Sequence, residues 1–508
     1  DADDTALASA TVTITSVVSG DVLAFTNSDS TLYGNISASY TAGTGVLVLS
    51  SAGSTATVAQ WQAALRSVTY SSTSDDPTVN NTRTSRTVTW VVTDANSDAV
   101  GAQTSAGVTS TVTITPTADA PVATAGGSLS YTENGSAAVI DATVTVGDPD
   151  DTQIASASVA ITSGFVSGDS LGFTDQNGIA GSFDATTGVL SLTGNATLGQ
   201  YQAALRSIRY SSTSEDPTAN NTSTSRTVTW TVTDANSDAT GAQTSVAVTS
   251  TVNIAAINDN PVLVAGGVLA YTENDAATVV DAQVQISDVD DTRITAASVT
   301  IGTVVTGDVL TFSDTGAITG SYNATTGVLT LTGNATLAEY RDALRSVKYS
   351  STSDDPTLRG TRASRTITWL VTDADSDAVG AQTSVSVTST INITYINDAP
   401  TLSAAAATAL LVEAGGIMNA TAGANSSSIS LTKADIDGEV AYDTTWLSAN
   451  GWSTTDSGAT YTYTGTFGTA TITIATGTVT YALDDSKAAT QALVQGQSVT
   501  DTFAVRVI

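Results

Sequence analysis

Hydrophobic and polar residues alternate along most of the chain, in short runs such as TVTIT (Thr11–Thr15), RTVTWTV (Arg226–Val232) and STVNI (Ser250–Ile254). A period of two in runs rich in Val, Thr and Ile is typical of antiparallel strands with one buried face. Gly, Asn and Asp separate the runs, as expected of turns. The pattern therefore predicts an all-β protein built from antiparallel β-sandwiches.

Three short segments have helical spacing instead. Apolar residues recur at intervals of three and four from Leu198 to Ile208, and Thr197 precedes them as a candidate N-cap. The segments from Val58 to Val68 and from Leu337 to Val347 share the pattern. We expect one short helix at each place, with its aromatic residue packed in the core.

A segment of about 140 residues occurs three times, as its tryptophans Trp90, Trp230 and Trp369 show by their spacing of 140 and 139 residues. This period is longer than that of solenoid repeats, so each copy is expected to fold as its own module. The last stretch has other strand patterns, including TYTYTGTFGTATITIATGTVTYAL and VTDTFAVRVI. The expected modules are residues 1–120, which lack the first strand of the other copies, then 121–260 and 261–399, and a different β-module at 400–508.

Composition excludes several classes of function. The chain has 508 residues, a net charge of −32, no Cys and no His. Disulfides, thiol nucleophiles, Ser-His-Asp triads and imidazole acid–base chemistry are therefore absent. Nucleic acid is not expected as a partner because basic residues are few, and no apolar run reaches the length of a membrane span. Paired carboxylates can hydrolyse glycosides, but the acids cluster at module junctions, so we predict no enzymatic activity.

The acidic residues stand at repeated positions. They occupy the module junctions, the opening strand, an Asp-x-Asp-Asp run and a second cluster before the last strand. Loops gather at the ends of a sandwich, so these positions should converge. Ca²⁺ prefers about six to eight hard oxygen ligands, so the pattern predicts calcium there; alternatively, the acids only favour turns and solubility. The candidate ligands are Asp1, Asp3, Asp94, Asp119, Glu133, Asp148, Asp150, Asp151, Asp234, Asp259, Glu273, Asp288, Asp290, Asp291, Asp373 and Asp398.

The order TVTDANSD, TSTVNI and INDNP resembles the closing segment of a cadherin repeat, and YTEN and ISDVDD resemble the acidic sites of the opening strand and of the following repeat. The chain lacks the Asp-Arg-Glu motif of cadherins and has Asp75–Asp76, Glu215–Asp216 or Asp354–Asp355 after the helix instead. The resemblance implies cadherin-like or immunoglobulin-like sandwiches with calcium at their joints. It assigns Glu133, Asn258, Asp259, Asn260, Asp288, Asp290 and Asp373 to the joint between the second and third copies, and Asp119, Asp148, Asp150 and Asp234 to the preceding joint.

The last module resembles the VCBS repeat of large bacterial surface and secreted proteins. VEAGG, ADIDG, GTFGTATI, YALDDSKAATQAL and VTDTFAV match that pattern in order. The resemblance implies Glu413, Asp435 and Asp437 as acids of this module, with Asp398 at its junction. Cadherin-like copies followed by a VCBS-like module are similar to the extender regions of large surface adhesins of the RTX type.

These observations together predict a calcium-stiffened extender of an extracellular bacterial surface adhesin, with calcium ions and neighbouring modules of the chain as partners. Two alternatives remain open. The first module lacks its opening strand, and the exposed edge would suit strand exchange between copies in a filament. Thr-x-Thr strands, together with Trp446 and Trp452, would suit a carbohydrate-binding or surface-binding module.

Overall fold

A computed structural model describes residues 5–376, 378–405, 411–412, 424–494 and 496–508. Strands in mainly antiparallel sheets make up most of its regular structure, and the helices are few and short. The predicted all-β fold class is confirmed.

Two compact units make up the chain: Asp1–Asn258 with Asp377–Val379, and Asp259–Ser376 with Gly380–Ile508. The first unit holds the first and second hydrophobic cores, and the second unit holds the third and fourth. Each core is formed by the apolar residues that alternate with polar residues along the strands.

The first core illustrates how the alternation works. Ala10, Val12 and Ile14 are buried, and Thr11 and Thr13 between them point away from the core. The sheets of this region comprise a five-stranded sheet in the order β3-β4-β1-β6-β7 and a pair β2-β5. Their strands are β1 (Leu7–Ile14), β2 (Asp21–Ala24), β3 (Ile36–Thr41), β4 (Val46–Ser51), β5 (Thr69–Ser72), β6 (Ser85–Asp94) and β7 (Val108–Thr113).

The second core has a larger main sheet than the first. The strands are β8 (Val122–Thr124), β9 (Ser128–Thr132), β10 (Ala138–Val139), β11 (Thr145–Gly147), β12 (Gln153–Ser163), β13 (Asp169–Gly172), β14 (Ala180–Asp184), β15 (Val189–Thr197), β16 (Arg209–Ser212), β17 (Ser225–Asp234) and β18 (Val248–Ala255). Six form the sheet β14-β15-β12-β17-β18-β9, accompanied by β10-β16-β13 and β11-β8. The opening strand β9 pairs in parallel with β18, whereas β7 pairs only with β6 among the described residues.

The third core repeats this arrangement within the second unit. The sheet β20-β29-β28-β23-β26-β25 is accompanied by β21-β27-β24 and β19-β22, and β20 again pairs in parallel with β29. The strands are β19 (Val262–Val264), β20 (Val268–Thr272), β21 (Thr278–Val279), β22 (Gln285–Ser287), β23 (Arg293–Ile301), β24 (Asp308–Thr311), β25 (Thr319–Asn323), β26 (Val328–Thr336), β27 (Lys348–Ser351), β28 (Ser364–Asp373) and β29 (Val387–Thr394).

The fourth core packs against one sheet in the order β30-β31-β35-β34-β33-β32. The predicted strand VTDTFAVRVI does not form a regular strand: its end makes an isolated bridge between Tyr442 and Val507, with backbone hydrogen bonds to Ala441 and Asp443. Within this segment, the carboxylate of Asp501 accepts the backbone N–H groups of Thr466 and Phe467, at 2.9 and 2.8 Å. The strands are β30 (Thr401–Ala404), β31 (Ser426–Ala434), β32 (Trp452–Ser453), β33 (Thr460–Thr464), β34 (Gly468–Thr473) and β35 (Thr478–Leu483).

The three predicted helices are present and begin at capping boxes. Thr57, Thr197 and Thr336 each accept the N–H of the third helical residue, whose side chain accepts the N–H of the threonine in return. The first core region has an additional one-turn helix, because Asp29 caps it. None of the helices in the described ranges is long and apolar enough to cross a membrane. The helices are α1 (Ser30–Tyr33), α2 (Val58–Arg66), α3 (Leu198–Arg206), α4 (Leu337–Arg345), α5 (Thr444–Ala449) and α6 (Ala488–Gln491).

A buried ion pair lies in each of the first three core regions, and the sequence did not reveal it. Arg226 Nε contacts Asp169 Oδ2 at 2.6 Å, and both side chains are fully buried. The hydroxyl of Tyr210 donates to the other oxygen of Asp169 at 2.5 Å. The sequence signals for this ion pair are the repeated Gly-Asp dipeptide and an arginine at a strand position that faces the core. The same pairing joins Asp21 to Arg86 and Asp308 to Arg365.

Candidate metal-binding clusters

The loop between β11 and β12 gathers three carboxylates, Asp148, Asp150 and Asp151, which we call the first cluster. Each offers an oxygen within 4.8 Å of the others. The loop turns around Asp148, whose Oδ1 accepts the N–H groups of Asp150 at 3.1 Å and of Asp151 at 2.9 Å. Asp150 and Asp151 are only 3% and 2% exposed. Local hydrogen bonds thus hold the three acids together, with Asp150 and Asp151 buried and Asp148 partly exposed.

One oxygen of each acid in the first cluster has no hydrogen-bond partner among the described residues: Oδ2 of Asp148, Oδ1 of Asp150 and Oδ2 of Asp151. Burial, and the nearby Asp150 carboxyl, raise the pKa of Asp148 from its ordinary value of 3.8 to about 7. Burial also raises the pKa of Asp150. Unsatisfied buried carboxylates are costly. A divalent cation with a preference for oxygen ligands would remove this cost, so the residues fit calcium.

The chain preceding this module lies against the first cluster. The backbone N–H of Asp119 donates to Oδ2 of Asp150 at 2.8 Å. The side-chain amide of Asn80 donates to the backbone carbonyl of Asp150 at 2.5 Å. The junction aspartate Asp119, a predicted ligand, and a loop of the first core region therefore meet the acidic loop.

The loop after β17 also reaches the first cluster. Oδ1 of Asp151 accepts hydrogen bonds from the backbone N–H and the hydroxyl of Ser237. The charge of Asp238 contributes to the raised pKa of Asp150, after burial. Asp234, a predicted ligand, uses its own oxygens to order this loop, accepting N–H groups at 3.0 and 2.6 Å. The structure thus brings the loop of Asp234 to the cluster through Ser237.

Asp288, Asp290 and Asp291 form the second cluster, with the same geometry. Oδ2 of Asp290 accepts the N–H of Asp259 at 2.8 Å, and Oδ1 of Asp291 accepts the N–H of Ser376 at 2.6 Å. Oxygens of Asp288, Asp291 and the predicted ligand Asp373 lie within 4.8 Å of one another. Burial and the Asp290 carboxyl raise the pKa of Asp288 to about 7.

The third cluster consists of Asp435 and Asp437. Oδ2 of Asp437 accepts the N–H of Asp398 at 3.1 Å, and Oδ1 of Asp435 accepts the N–H groups of Asp437 and Gly438 at 3.3 and 2.9 Å. Gly438 stands where the other clusters have their third aspartate. The guanidinium of Arg359 lies 3.4 Å from the carbonyl oxygen of Asp435.

Glu273, from the opening strand of the third core region, also lies near the third cluster. It is 2% exposed, and its Oε2 accepts the N–H of Ile396 at 2.8 Å. Its Oε1 has no hydrogen-bond partner within the described part of the chain. Burial, followed by the charges of Asp398, Asp437 and Asp354, raises its pKa. The counterpart Glu133 accepts the N–H of Ile257 in the same way, at 2.8 Å.

The remaining predicted ligands have different surroundings. Asp94 accepts two backbone N–H groups of its own loop, at 3.1 and 2.7 Å. Asn258 is buried and Asn260 is exposed. Asp1, Asp3 and Glu413 lie outside the described residues.

Several neighbours of the clusters are not among the predicted ligands. Asn80, Ser237 and Asp238 contact or face the first cluster, and Asp354 faces Glu273. Asp354 stands in the stretch that replaces the Asp-Arg-Glu motif. The identical position of these acids in each copy was a signal, but nothing in the sequence pointed to Asn80.

Comparisons with known proteins give limited similarity. No family model matches the chain. Halomucin of Haloquadratum walsbyi is 36% identical over 108 residues, which cover 20% of this chain and 1% of halomucin. The match thus spans about one hundredth of the length of that relative.

Solved structures similar to this chain include cadherin repeats. A protocadherin gammaB7 EC3-6 structure is 14% identical, covers 95% of this chain and 87% of its own, and has a TM-score of 0.29. Mouse cadherin-23 EC22-24 is 12% identical, with coverages of 76% and 86% and a TM-score of 0.25. TM-scores of this size do not establish a shared fold, so the fold described above rests on the sheets themselves.

Proposed function

We propose that this chain is an extender region of an extracellular adhesin, braced by calcium at the three acidic clusters. Each hydrophobic core with its sheets is one module, with the boundaries 1–120, 121–260, 261–399 and 400–508. The observation that carries the proposal is shared by Asp150, Asp290 and Asp437. Oδ1 of each is buried without a hydrogen-bond partner among the described residues, and Oδ2 of each accepts the N–H of a junction aspartate.

Calcium would act by neutralising the carboxylates and by tying the junction to the acidic loop. An ion that binds only the folded, ordered cluster adds RT ln(1 + [Ca²⁺]/Kd) to stability, about 1.4 kcal/mol at a tenfold excess over Kd. Extracellular calcium modules have Kd values of roughly 10⁻⁴–10⁻³ M. Such sites would stay empty at cytosolic calcium levels and fill outside the cell.

The resemblances support a location on a bacterial surface. Cadherin-like motifs in the first three modules and a VCBS-like pattern in the last are the combination expected of a surface extender. We propose no enzymatic activity, because the clustered acids are explained by cation binding. Trp452 is 3% exposed and donates to the carbonyl of Ala504 at 3.0 Å. Its burial disfavours a role in stacking on sugars.

The test is thermal unfolding combined with small-angle X-ray scattering, with calcium and with excess chelator. We expect calcium to raise the melting temperature and to give a longer, stiffer particle. Magnesium at the same concentration is the control, since it demands near-ideal octahedral geometry and keeps its waters. If neither stability nor scattering responds to calcium, the acids are surface and turn residues and the proposal is wrong.

A second candidate function rests on β7. This strand pairs only with β6 among the described residues, whereas β18 and β29 also pair with an opening strand. We propose that a segment with the sequence of β9 would add to this edge, as in strand exchange. A synthetic peptide of residues 126–134 should bind the chain, and the purified chain should assemble with increasing concentration. A chain that stays monomeric and ignores the peptide would exclude this function.

A further inference from the structure

We infer that the third cluster has an internal cation, the guanidinium of Arg359, and therefore depends less on calcium than the first cluster does. This inference rests on the calcium-bracing function proposed above. It distinguishes the third cluster from the first by its dependence on calcium.

The loop that presents Arg359 has an unusual backbone. Leu358, Arg359 and Gly360 have φ values of 49°, 56° and 75°, and the equivalent residues Val79, Asn80 and Asn81 have 53°, 51° and 58°. Three consecutive left-handed residues reverse the chain tightly, at a cost that non-glycine residues rarely accept.

An aspartate holds each of these loops in place. Asp76 accepts the backbone N–H of Asn80 at 2.7 Å, and Asp355 accepts that of Arg359 at 2.9 and 3.0 Å with its two oxygens. The middle residue of the turn is thus fixed by its backbone, which leaves its side chain to reach the neighbouring acidic loop.

The two middle residues reach equivalent places. The amide of Asn80 contacts the carbonyl oxygen of Asp150 in the first cluster, and the guanidinium of Arg359 contacts that of Asp435 in the third. The first contact is neutral, and the second brings a positive charge to an acidic loop.

The acidic loops of the first and third clusters also differ in their number of clustered carboxylates. The first cluster has three carboxylates, whereas the third has two because Gly438 replaces the third aspartate. With Arg359 included, the third cluster is less negative than the first by two charges. One adjoining acid faces each cluster, Glu273 the third and Asp238 the first, so carboxylate repulsion without calcium is weaker at the third cluster.

The amides of Asp119 and Asp398 are matched reporters, because each donates to the second aspartate of its cluster. The experiment is hydrogen exchange of both amides in the full chain, with calcium and with chelator. We expect chelation to speed exchange at Asp119 more than at Asp398. Arg359→Asn should speed exchange at Asp398 in chelator by roughly 1.5- to 5-fold, the range of an exposed charge contact.

Two further variants complete the design. Asn80→Arg should make Asp119 less sensitive to chelation, which is the reciprocal change. Arg341→Asn removes the same charge from an exposed pair with Asp342 and should leave both amides unchanged. Asparagine suits the left-handed backbone at position 359, so the main variant is expected to fold.

The outcomes separate the two proposals. If calcium slows exchange at Asp119 but Arg359→Asn does not change exchange at Asp398, the proposed role of Arg359 is wrong. The proposal of calcium bracing would still stand. If calcium changes neither amide, the proposed function itself fails. Equal sensitivity of both amides to chelation in the unmodified chain would also overturn the inference.

Discussion

The backbone N–H of Asp119 donates a hydrogen bond to Oδ2 of Asp150, at 2.8 Å and across 31 residues of chain. Asp259 and Asp290 repeat this bond at the same distance and separation. The second oxygen of Asp150 and of Asp290 is buried and has no hydrogen-bond partner among the residues described. One half of the carboxylate thus positions the junction, and the other half is available to a cation.

Asp150→Asn should change stability in opposite directions with and without calcium. In chelator, the amide removes a buried charge beside Asp148 and Asp151, so the melting temperature should rise or stay level. In calcium, the lost ligand should remove most of the calcium-dependent gain. Differential scanning calorimetry with both buffers measures the two effects.

The control for that variant is Asp342→Asn, which alters an exposed carboxylate. It should leave the calcium-dependent shift unchanged. An undiminished calcium gain in Asp150→Asn would show that Asp150 is not a ligand.

The chelated protein should lose stability as pH rises. The pKa of Asp148, which faces Asp150 and Asp151, is raised from 3.8 to about 7 in the folded state. The folded state then binds more protons than the unfolded state between these values, so the free energy of unfolding falls from about pH 4 to about pH 7 and levels off above that. Thermal unfolding in chelator across this range measures the effect.

Calcium should reverse this trend, because protons and calcium compete for the same oxygens. Asp148→Asn should show a shallower pH dependence in chelator than the unmodified chain. A pH profile identical in the two proteins would mean that Asp148 is ionised normally.

Asp169→Asn should destabilise the second core region strongly. Arg226 and Asp169 are both fully buried, 2.6 Å apart, and removal of one charge leaves the other unpaired. Losses of this kind are about 3–5 kcal/mol. The midpoint of the corresponding calorimetric transition should fall, with or without calcium.

Replacement of both partners tests the cause. Asp169→Leu combined with Arg226→Met should recover much of the loss, because no unpaired charge remains. Arg209→Gln, which alters an exposed arginine nearby, should have little effect. A double variant as unstable as Asp169→Asn would point to lost packing rather than an unpaired charge.

Gly127→Ala should weaken the attachment of β9. A Cβ at Gly127 would lie 2.4 Å from Cγ of Asp141, whose carboxylate accepts the N–H of Gly127 and the hydroxyl of Ser250, both at 2.7 Å. The carboxylate cannot move without losing these bonds, so we expect a loss of about 1–3 kcal/mol. Chemical denaturation measures it.

Gly147→Ala is the matched control, since a Cβ there meets no atom within 4 Å. Its effect should stay within about 0.5 kcal/mol. Equal effects of the two alanines would mean that crowding at Asp141 is not the cause.

Local patterns along the chain were enough to predict much of the fold. The period of two in Thr11–Thr15 predicted a half-buried strand, which the structure places at Leu7–Ile14. The helical spacing after Thr197 predicted α3 together with its cap. Such signals depend on neighbours within a few residues, where side-chain direction follows directly from backbone geometry. The parallel pairing of β9 with β18 was not predictable in this way, since it joins distant segments.

The same distinction applies to the candidate site: its local features were predictable from the sequence, and its contacts between distant segments were not. The Asp-x-Asp-Asp runs predicted acidic loops, because the residues of each run are adjacent in sequence. Two contacts of the first cluster join distant segments. Ser237 contacts Asp151, 86 residues away, and Asn80 contacts Asp150, 70 residues away. These contacts depend on which loops the sheets bring together.

The amino-acid sequence by itself determined the all-β class, the threefold repeat, the capped helices and the position of the acids. Only the tertiary structure decided which carboxylate oxygens are buried without partners, and that Arg226 faces Asp169 inside the core. The physical reason is that burial and charge pairing depend on atoms contributed by segments far apart in the chain. Their distance in space is set by sheet packing and not by the residues between them.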